Sequence, residues 1–529
     1  MDVMTSTPAL RRVLAAAVVL GALAGCSSEQ APAKPTQAAS DLTTGNRAAV
    51  RDGGTLRWAV DAVPASLDVY DPAATADTAL IAHALLPSLF RLDDRARPVA
   101  DPDYLAGAQV DGRTVTYRLN PKALWSDGKP LAVADFTAQW TALRAAHTGY
   151  AAIESITQGS DPHQVKVVFK QPYASWRSLF SPLQAAAGPS VTAGPLTVAS
   201  LDAKAGRASL VRNPRWWGDP VKVDGIDFLA TANRLDALDR DQVDVADLAQ
   251  AVDRPPAAPS TDAVDAATQA LKRAQALPGI TLHRAAAPAF TQLTLNGARG
   301  QLADAAVRRA VAAAIDRGKL ASAVLDPLGL PAVPLGNHLV MTDQDGYRDN
   351  SGAIAGTAKE LHLDLTLLLT EGSASARRTA DALVAQLAPA GVTVHPQAVP
   401  ADGFVRDHLA GGDWDLALFS WPASAFPATD ERPLYAKPRP GQDGKPVAGL
   451  NYGGSGTEEI DQLFDQAAAE LDPVKQTALL QQTDGRIWQL GHSVPLYQRP
   501  DLVAVRTGVA GAGAYGFAWP RYQDVGFLR

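Results

Sequence analysis

Apolar and polar positions along this chain follow two periods, and each predicts a different element. The run Gly54-Thr55-Leu56-Arg57-Trp58-Ala59-Val60 alternates with period two and predicts a strand. Val133, Phe136, Trp140 and Leu143 repeat at helical spacing soon after Pro130, so one face of a helix is apolar there. Asp304 is a predicted N-cap for a helix carrying Val307, Ala310, Val311, Ala314 and Ile315 on one side, with Gly318 as its stop. Leu361, Leu363, Leu365 and Leu367 alternate as a strand. A helix bearing Ala380, Leu383, Val384 and Leu387 follows, then a strand through Val392 and Val394, a short helix, and a strand over Leu416–Trp421. Strand and helix in alternation predict an α/β fold whose parallel strands are joined by right-handed crossovers. Ser455-Gly456-Thr457-Glu458 fits a capping box, and Asp472-Pro473 opens one more helix.

The first residues read differently. Arg11 and Arg12 precede an unbroken run of apolar and glycine residues, Val13–Ala24, that is shorter than the roughly 20 residues a membrane-spanning helix needs. It ends in Leu23-Ala24-Gly25-Cys26, and Cys26 is the chain's one cysteine. This pattern resembles a bacterial lipobox, so residues 1–25 are expected to be a signal peptide and Cys26 the lipidated first residue of the mature chain, anchored outside the cytoplasmic membrane. Residues 26–53 are rich in Ala, Pro, Ser, Thr and Gln and are expected to form a flexible tether. With no second thiol, the body is held by packing and not by disulfides. About 500 residues exceed one hydrophobic core and call for two or three lobes. The net charge of −7, with no basic stripe, excludes nucleic acid as the expected partner.

The stretch Leu119-Asn120-Pro121-Lys122-Ala123-Leu124-Trp125-Ser126-Asp127-Gly128-Lys129-Pro130-Leu131-Ala132-Val133-Ala134-Asp135-Phe136 resembles a signature of the large extracytoplasmic solute-binding proteins of ABC importers, which take up oligopeptides, dipeptides and nickel chelates. Further resemblances follow in the family's order: Gly194-Pro195-Leu196, Asn213-Pro214-Arg215-Trp216-Trp217, Asn296, Val307–Asp316, and Val494-Pro495-Leu496-Tyr497. The resemblance implies a two-lobed periplasmic-binding-protein-like (Venus-flytrap) fold with an extra domain inserted in the N-terminal lobe. Lobe I would combine residues 54–70, 185–285 and 495–529. The inserted domain would be 71–184, and lobe II 286–494. It also implies a monomeric receptor that is not an enzyme and has no cofactor or metal. Such a receptor captures an oligopeptide-like solute between its lobes and delivers it to a membrane permease.

In peptide-binding members of that family, an aspartate three residues after a tryptophan holds the ligand's ammonium group. The matching stretch here is Trp421-Pro422-Ala423-Ser424, so a serine stands at the charged position and Asp430, six residues on, is the nearest substitute. Trp421, Ser424 and Asp430, with Asn296, Trp58 and Tyr497, are therefore the candidate ligand-binding residues. For Trp125 and Trp216-Trp217, core packing is the favoured role. Leu86–Arg91 and Gln171–Phe180 also resemble a subgroup of mycobacterial cell-wall lipoproteins working near phosphatidylinositol-mannoside assembly. The alternative function is accordingly a non-transport envelope lipoprotein that binds a glycolipid. Other motifs lack what their chemistry needs. Gly511–Gly516 matches a dinucleotide fingerprint, but only 13 residues follow it, interrupted by Pro520. Asp343-Gln344-Asp345-Gly346 begins like a calcium loop without its terminal glutamate.

Overall fold

Alternating apolar side chains let ten strands share one mixed sheet. The computed structural model describes residues 41–43, 45–254, 263–354, 361–440, 446–447 and 449–529. The predicted signal peptide, Cys26 and the tether up to residue 40 lie outside the described residues. In chain order the strands are β1 (Thr55–Val60), β2 (Leu196–Asp202), β3 (Arg207–Arg212), β4 (Gly225–Ala230), β5 (Val245–Asp247), β6 (Ile280–Leu295), β7 (Leu363–Thr370), β8 (Val392–Val399), β9 (Leu416–Pro422) and β10 (Ser493–Arg506). Across the sheet they run β8-β7-β9-β6-β10-β5-β1-β4-β3-β2. β7 is parallel to β8 and β9, and β1 is parallel to β4 and β5.

The two long strands, β6 and β10, pair antiparallel at the centre. The first part of β6 lies opposite the end of β10 that also pairs with β5, while its second part pairs with β9. One pair of strands thus belongs to both halves of the sheet, and its register shifts between Ala286 and Phe290. The expected lobe limits at 285/286 and 494/495 both fall inside these strands. One half carries an apolar core that includes Leu365, Leu383, Leu416 and Val494, and the other a core around Leu56, Phe228 and Val503. A separate four-stranded antiparallel sheet, ordered Leu105–Asp111, Thr114–Leu119, Gln164–Phe169 and Ile153–Gln158, packs on the helix Val133–Leu143. It has a core of its own, rich in aromatic residues: Tyr117, Phe136, Phe180 and Trp176.

The predicted strand–helix series over 361–421 is present, with the helix Ala374–Leu387 and a single π-type turn at Phe404–Leu409 as the short helix. Three expectations are corrected. Gly318 does not end the helix capped by Asp304. That helix stops at Ala313, and Gly318 sits in the first turn of a second helix, Arg317–Leu325, capped by Asp316. The helix Glu458–Ala469 is capped by Thr457, whose extended backbone lets its hydroxyl accept the Ile460 N–H, and not by Ser455. The tether is also shorter than expected. Thr43 N–H donates to the Ala514 carbonyl, Arg47 pairs with Asp524 at 2.6 Å, and buried Val50 bridges to Leu528. This stretch attaches through backbone bonds, the Arg47 ion pair and the side chains of Leu42 and Val50, so its poverty in large apolar residues hides its attachment.

Candidate functional site

Strand β9 ends at Pro422, where proline supplies no N–H to continue a ladder. The chain then forms a loop and two one-turn helices, Pro427–Asp430 and Arg432–Tyr435. Polar bonds fix this loop. Ser424 Oγ accepts the Phe426 N–H at 2.8 Å and donates to Asp430 Oδ2 at 2.5 Å. Gln344, from the Asp343–Gly346 turn, donates to the Ser424 carbonyl at 2.9 Å. Thr429 Oγ1 reaches Ser175 Oγ at 3.0 Å, joining the loop to the turn Ala174–Ser178, which packs with the four-stranded sheet.

Trp421, Ser424, Asp430 and Glu431 line a cavity of about 540 Å³, within the usual range for solute pockets. Opposite elements contribute Arg91, Asp101 and Arg177 from the region around the four-stranded sheet, and Phe517, Trp519 and Tyr522 from the C-terminal segment. Several of its charges are already matched: Arg91 pairs with Asp101 at 2.8 Å, and Arg521 with Asp524 at 2.8 Å. His83 stacks on Trp519 with ring centroids 4.0 Å apart, and burial lowers its pKa to about 4, so it lines the wall as a neutral ring. Arg177 lies over the Trp176 ring at 4.2 Å and has no carboxylate partner among the described residues.

The acidic doublet is the unsettled part of the wall. Glu431 is 3% exposed, and its Oε2 has no hydrogen-bond partner among the described residues. Burial raises its pKa well above the usual carboxyl range, the neighbouring Asp430 charge adds to the rise, and the Ser424 N–H works against it. Asp430 keeps an edge open to the cavity, yet desolvation raises its pKa too, against hydrogen bonds from Ser424 and Thr429. A cationic group entering here would favour the ionised form of both carboxyls and meet one unused acceptor.

The candidates read from sequence divide sharply. Trp421, Ser424 and Asp430 come together at this cavity, and Trp421 also stacks on Tyr452 at 5.9 Å with nearly parallel rings. Asn296 does not reach it: buried, it donates to the Gly412 and Trp414 carbonyls and accepts the Ala298 N–H, so it pins a turn. Trp58 is a core residue packed on Phe228 and Tyr522, and Tyr522 is the member of that cluster that lines the cavity. Tyr497 is buried, its hydroxyl 3.1 Å from Thr379, and it lines a separate cavity. Trp125 is a core residue, as favoured, whereas Trp216 packs on the core and also touches the cavity. Sequence reasoning missed Glu431 and Arg177. The signal for Glu431 was an acidic doublet, Asp430-Glu431, just after the serine at the charged position. Among the described residues, no group of three or more His, Cys, Asp or Glu is placed to hold a metal ion.

Residues 106–442 match the bacterial extracellular solute-binding proteins, family 5 middle. The oligopeptide-binding protein OppA of Mycobacterium tuberculosis is 33% identical over 573 aligned positions, covering 97% of this chain and 93% of its own. The chain belongs to the family 5 extracellular solute-binding proteins. It is a solute-binding receptor of extracytoplasmic location, not an enzyme. The periplasmic EDTA-binding protein EppA has the same two-lobed fold, with a TM-score of 0.78 at 22% identity over 93% of this chain and 99% of that one. The probable monoacyl phosphatidylinositol tetramannoside-binding protein LpqW of M. tuberculosis is 30% identical over 274 positions, 46% of this chain and 41% of its own. The family expectation is thus met, whereas the likeness to the mannoside subgroup spans under half of the chain and that to OppA nearly all of it.

Proposed function

We propose that this family 5 receptor captures an oligopeptide-like solute in the 540 Å³ cavity and delivers it to an ABC permease, tethered to the membrane by an acylated Cys26. In this reading the receptor acts as a monomer. Lobe I is 54–70, 185–285 and 495–529, the inserted domain is 71–184, and lobe II is 286–494. The observation that carries the peptide reading is the Asp430–Glu431 doublet beside Ser424, with one buried carboxylate oxygen unused. An α-ammonium placed there favours the ionised form of these carboxyls, whose protons leave to solvent and whose negative charge stands in for the one Ser424 lacks. Trp421 supplies an aromatic face beside it, and Trp58 supports the wall from behind through Tyr522. Near-full-length similarity to a protein named for oligopeptide binding supports the same reading.

Calorimetric titration with pooled tripeptides, free and N-acetylated, tests it. Free peptides are expected to bind and acetylated ones to bind weakly. Equal binding of both pools would overturn the ammonium assignment. The partial likeness to LpqW supports a second reading, a glycolipid ligand without a permease. Retention of phosphatidylinositol mannoside with no retention of peptides would select it.

A further inference from the structure

One wall of the cavity beside Glu431 is made by a segment with little regular structure of its own. Phe517, Trp519 and Tyr522 line the cavity from residues 511–524, which carry no helix or strand between the short antiparallel pair Val509–Ala510 and Gly526–Phe527. The segment opens with Gly511–Gly516, the glycine-rich stretch that imitates a dinucleotide fingerprint. What lies against it is the chain's own N-terminal stretch. Thr43 donates its backbone N–H to the Ala514 carbonyl at 2.9 Å and its hydroxyl to the Ala512 carbonyl at 3.3 Å. Arg47 donates to the Gln523 carbonyl at 2.7 Å and pairs with Asp524 at 2.6 Å. Among the described residues, the other donor to this backbone from outside the segment is the Lys222 N–H, 3.2 Å from the Gln523 carbonyl.

Packing follows the same line. Leu42 is half-buried against the core that includes Leu56, Phe228 and Val503. A Cβ placed on Gly513, where φ is +153°, would lie 1.9 Å from Thr43 Oγ1, so the close approach of Thr43 requires glycine there. A glycine pattern that in a cofactor site admits a phosphate here admits another part of the same chain. At its start, the stretch is held by the Asp41 N–H, which donates to the Arg284 carbonyl at 3.0 Å, and by the Asp41 carboxylate, 3.4 Å from the His283 ring. Among the described residues, the polar partners of Asp41, Thr43 and Arg47 beyond the stretch itself lie in 220–284 and 512–524, and none lies in 286–494. The stretch therefore braces one side of the cleft without a hydrogen bond to β7, β8 or β9.

We propose that Leu42, Thr43 and Arg47 are positioning residues for solute capture: they form a strap that holds the Phe517–Tyr522 wall in its binding geometry while touching no solute themselves. A loosened wall must be ordered again when the solute binds, and that ordering is subtracted from affinity. The inference rests on the first cavity being the solute site, but not on which solute it takes. The end of the expected tether thus belongs to the binding machinery, and the glycines of Gly511–Gly516 are its seat.

The test uses the full mature chain and three variants: Arg47→Ala, which removes the strap's ion pair, Gly513→Ala, which pushes on Thr43 from the other side, and Arg47→Lys, which keeps the charge. Hydrogen exchange followed by mass spectrometry reads the wall, and calorimetry with pooled free tripeptides reads affinity. Arg47→Ala and Gly513→Ala should each speed exchange in 511–524, leave the four-stranded sheet and β7 to β9 unchanged, and weaken binding by about 3- to 10-fold. Arg47→Lys should recover part of both. Faster exchange in 511–524 with unaltered affinity overturns the proposal. So does weaker binding with unaltered exchange there, which would make the substituted residues solute contacts, and so does exchange that rises throughout the protein, which would make the strap a general stabiliser. If the wild type binds no tripeptide, the peptide reading fails and exchange alone judges the strap. Acceleration confined to 511–524 and partly reversed in Arg47→Lys then supports it, and any other pattern overturns it.

Discussion

Two tryptophan-containing stretches of this chain, Trp125–Asp135 and Trp421–Glu431, treat their polar groups in opposite ways. In the first, every polar group is answered. Asp135 accepts the Trp125 indole N–H at 3.0 Å and the Ala132 N–H at 2.9 Å through one oxygen, and the Ala186 N–H at 2.8 Å through the other. In the second, Ser424 and Asp430 bond each other while Glu431 is left buried with an unused oxygen. The stretch that makes the family easiest to recognise is therefore a structural clasp. The stretch that departs from the family pattern is the one facing the cavity. Fully matched polar groups stabilise a fold, and unmatched ones are free to be matched by a ligand.

Removing the clasp should have the largest effect. Asp135→Ala orphans the buried Trp125 indole N–H and two part-buried backbone N–H groups at once and is expected to cost roughly 3 kcal/mol. Thermal unfolding should show it, together with faster hydrogen exchange in the four-stranded sheet. A solute that still binds the remaining folded protein should do so with near-normal affinity. The mirror-image change is Glu431→Gln. An amide of the same shape loses no packing and removes an acid that burial disfavours, so stability should hold or rise. Affinity for an ammonium-bearing solute should fall by about 10- to 100-fold, the worth of a charge-assisted bond. Calorimetry that found the reverse pattern, lost stability with kept affinity, would abolish the contrast between the two stretches.

pH should sharpen it. With no solute, burial raises the pKa of Glu431 and Asp430, so the folded protein binds more protons there than the unfolded chain. Stability of the empty receptor should accordingly fall as pH climbs from the ordinary carboxyl range through the raised values. An ammonium solute favours the ionised acids, so binding should release protons and tighten over the same rise in pH. Titrations in buffers of different ionisation enthalpy measure the release directly, and Glu431→Gln should reduce it. Asp135→Ala should leave it intact.

The same contrast explains what could be read from the chain. The series β7 to β9 was legible because aliphatic side chains alternate along the strands, leucines in β7 and valines at the start of β8, and repeat at helical spacing between them, so burial and period agree. The clasp was legible as a motif, since Asp127-Gly128 and Asp135 have local backbone duties that fix residue type. Trp58 and Trp421 could not be separated by sequence. Both lie in strand-like runs, and what distinguishes them is Tyr522, more than 460 residues from Trp58, which covers it from the cavity. Asn296 offered two roles with equal local chemistry, and the Gly412 and Trp414 carbonyls that choose between them are more than 100 residues away. Glu431 was hidden for a related reason: its burial is imposed by its neighbours in the fold, while its place next to Asp430 reads as an ordinary solvated charge.

The smallest effect is expected where the two regions touch. Ser175 Oγ receives the Thr429 hydroxyl, and Ser175 is buried in the turn that packs beside the clasp's sheet while Thr429 belongs to the acidic loop. Ser175→Ala removes one neutral bond between them and alters no charge at Glu431. When the cleft opens, water replaces that bond, so its net worth is only about 0.5–1.5 kcal/mol, and losing it favours the open form by that amount. Apparent affinity should drop by roughly 2- to 10-fold for every solute, because the bound form is reached from a less populated closed state. The drop should be the same for free and N-acetylated peptides and the same at every pH. That indifference to ligand charge separates it from Glu431→Gln, whose effect must vanish for a solute with no cationic group. If Ser175→Ala instead discriminated between the two peptide pools, the hydroxyl contact would belong to ligand recognition, and the division between matched structural groups and unmatched binding groups would fail at its border.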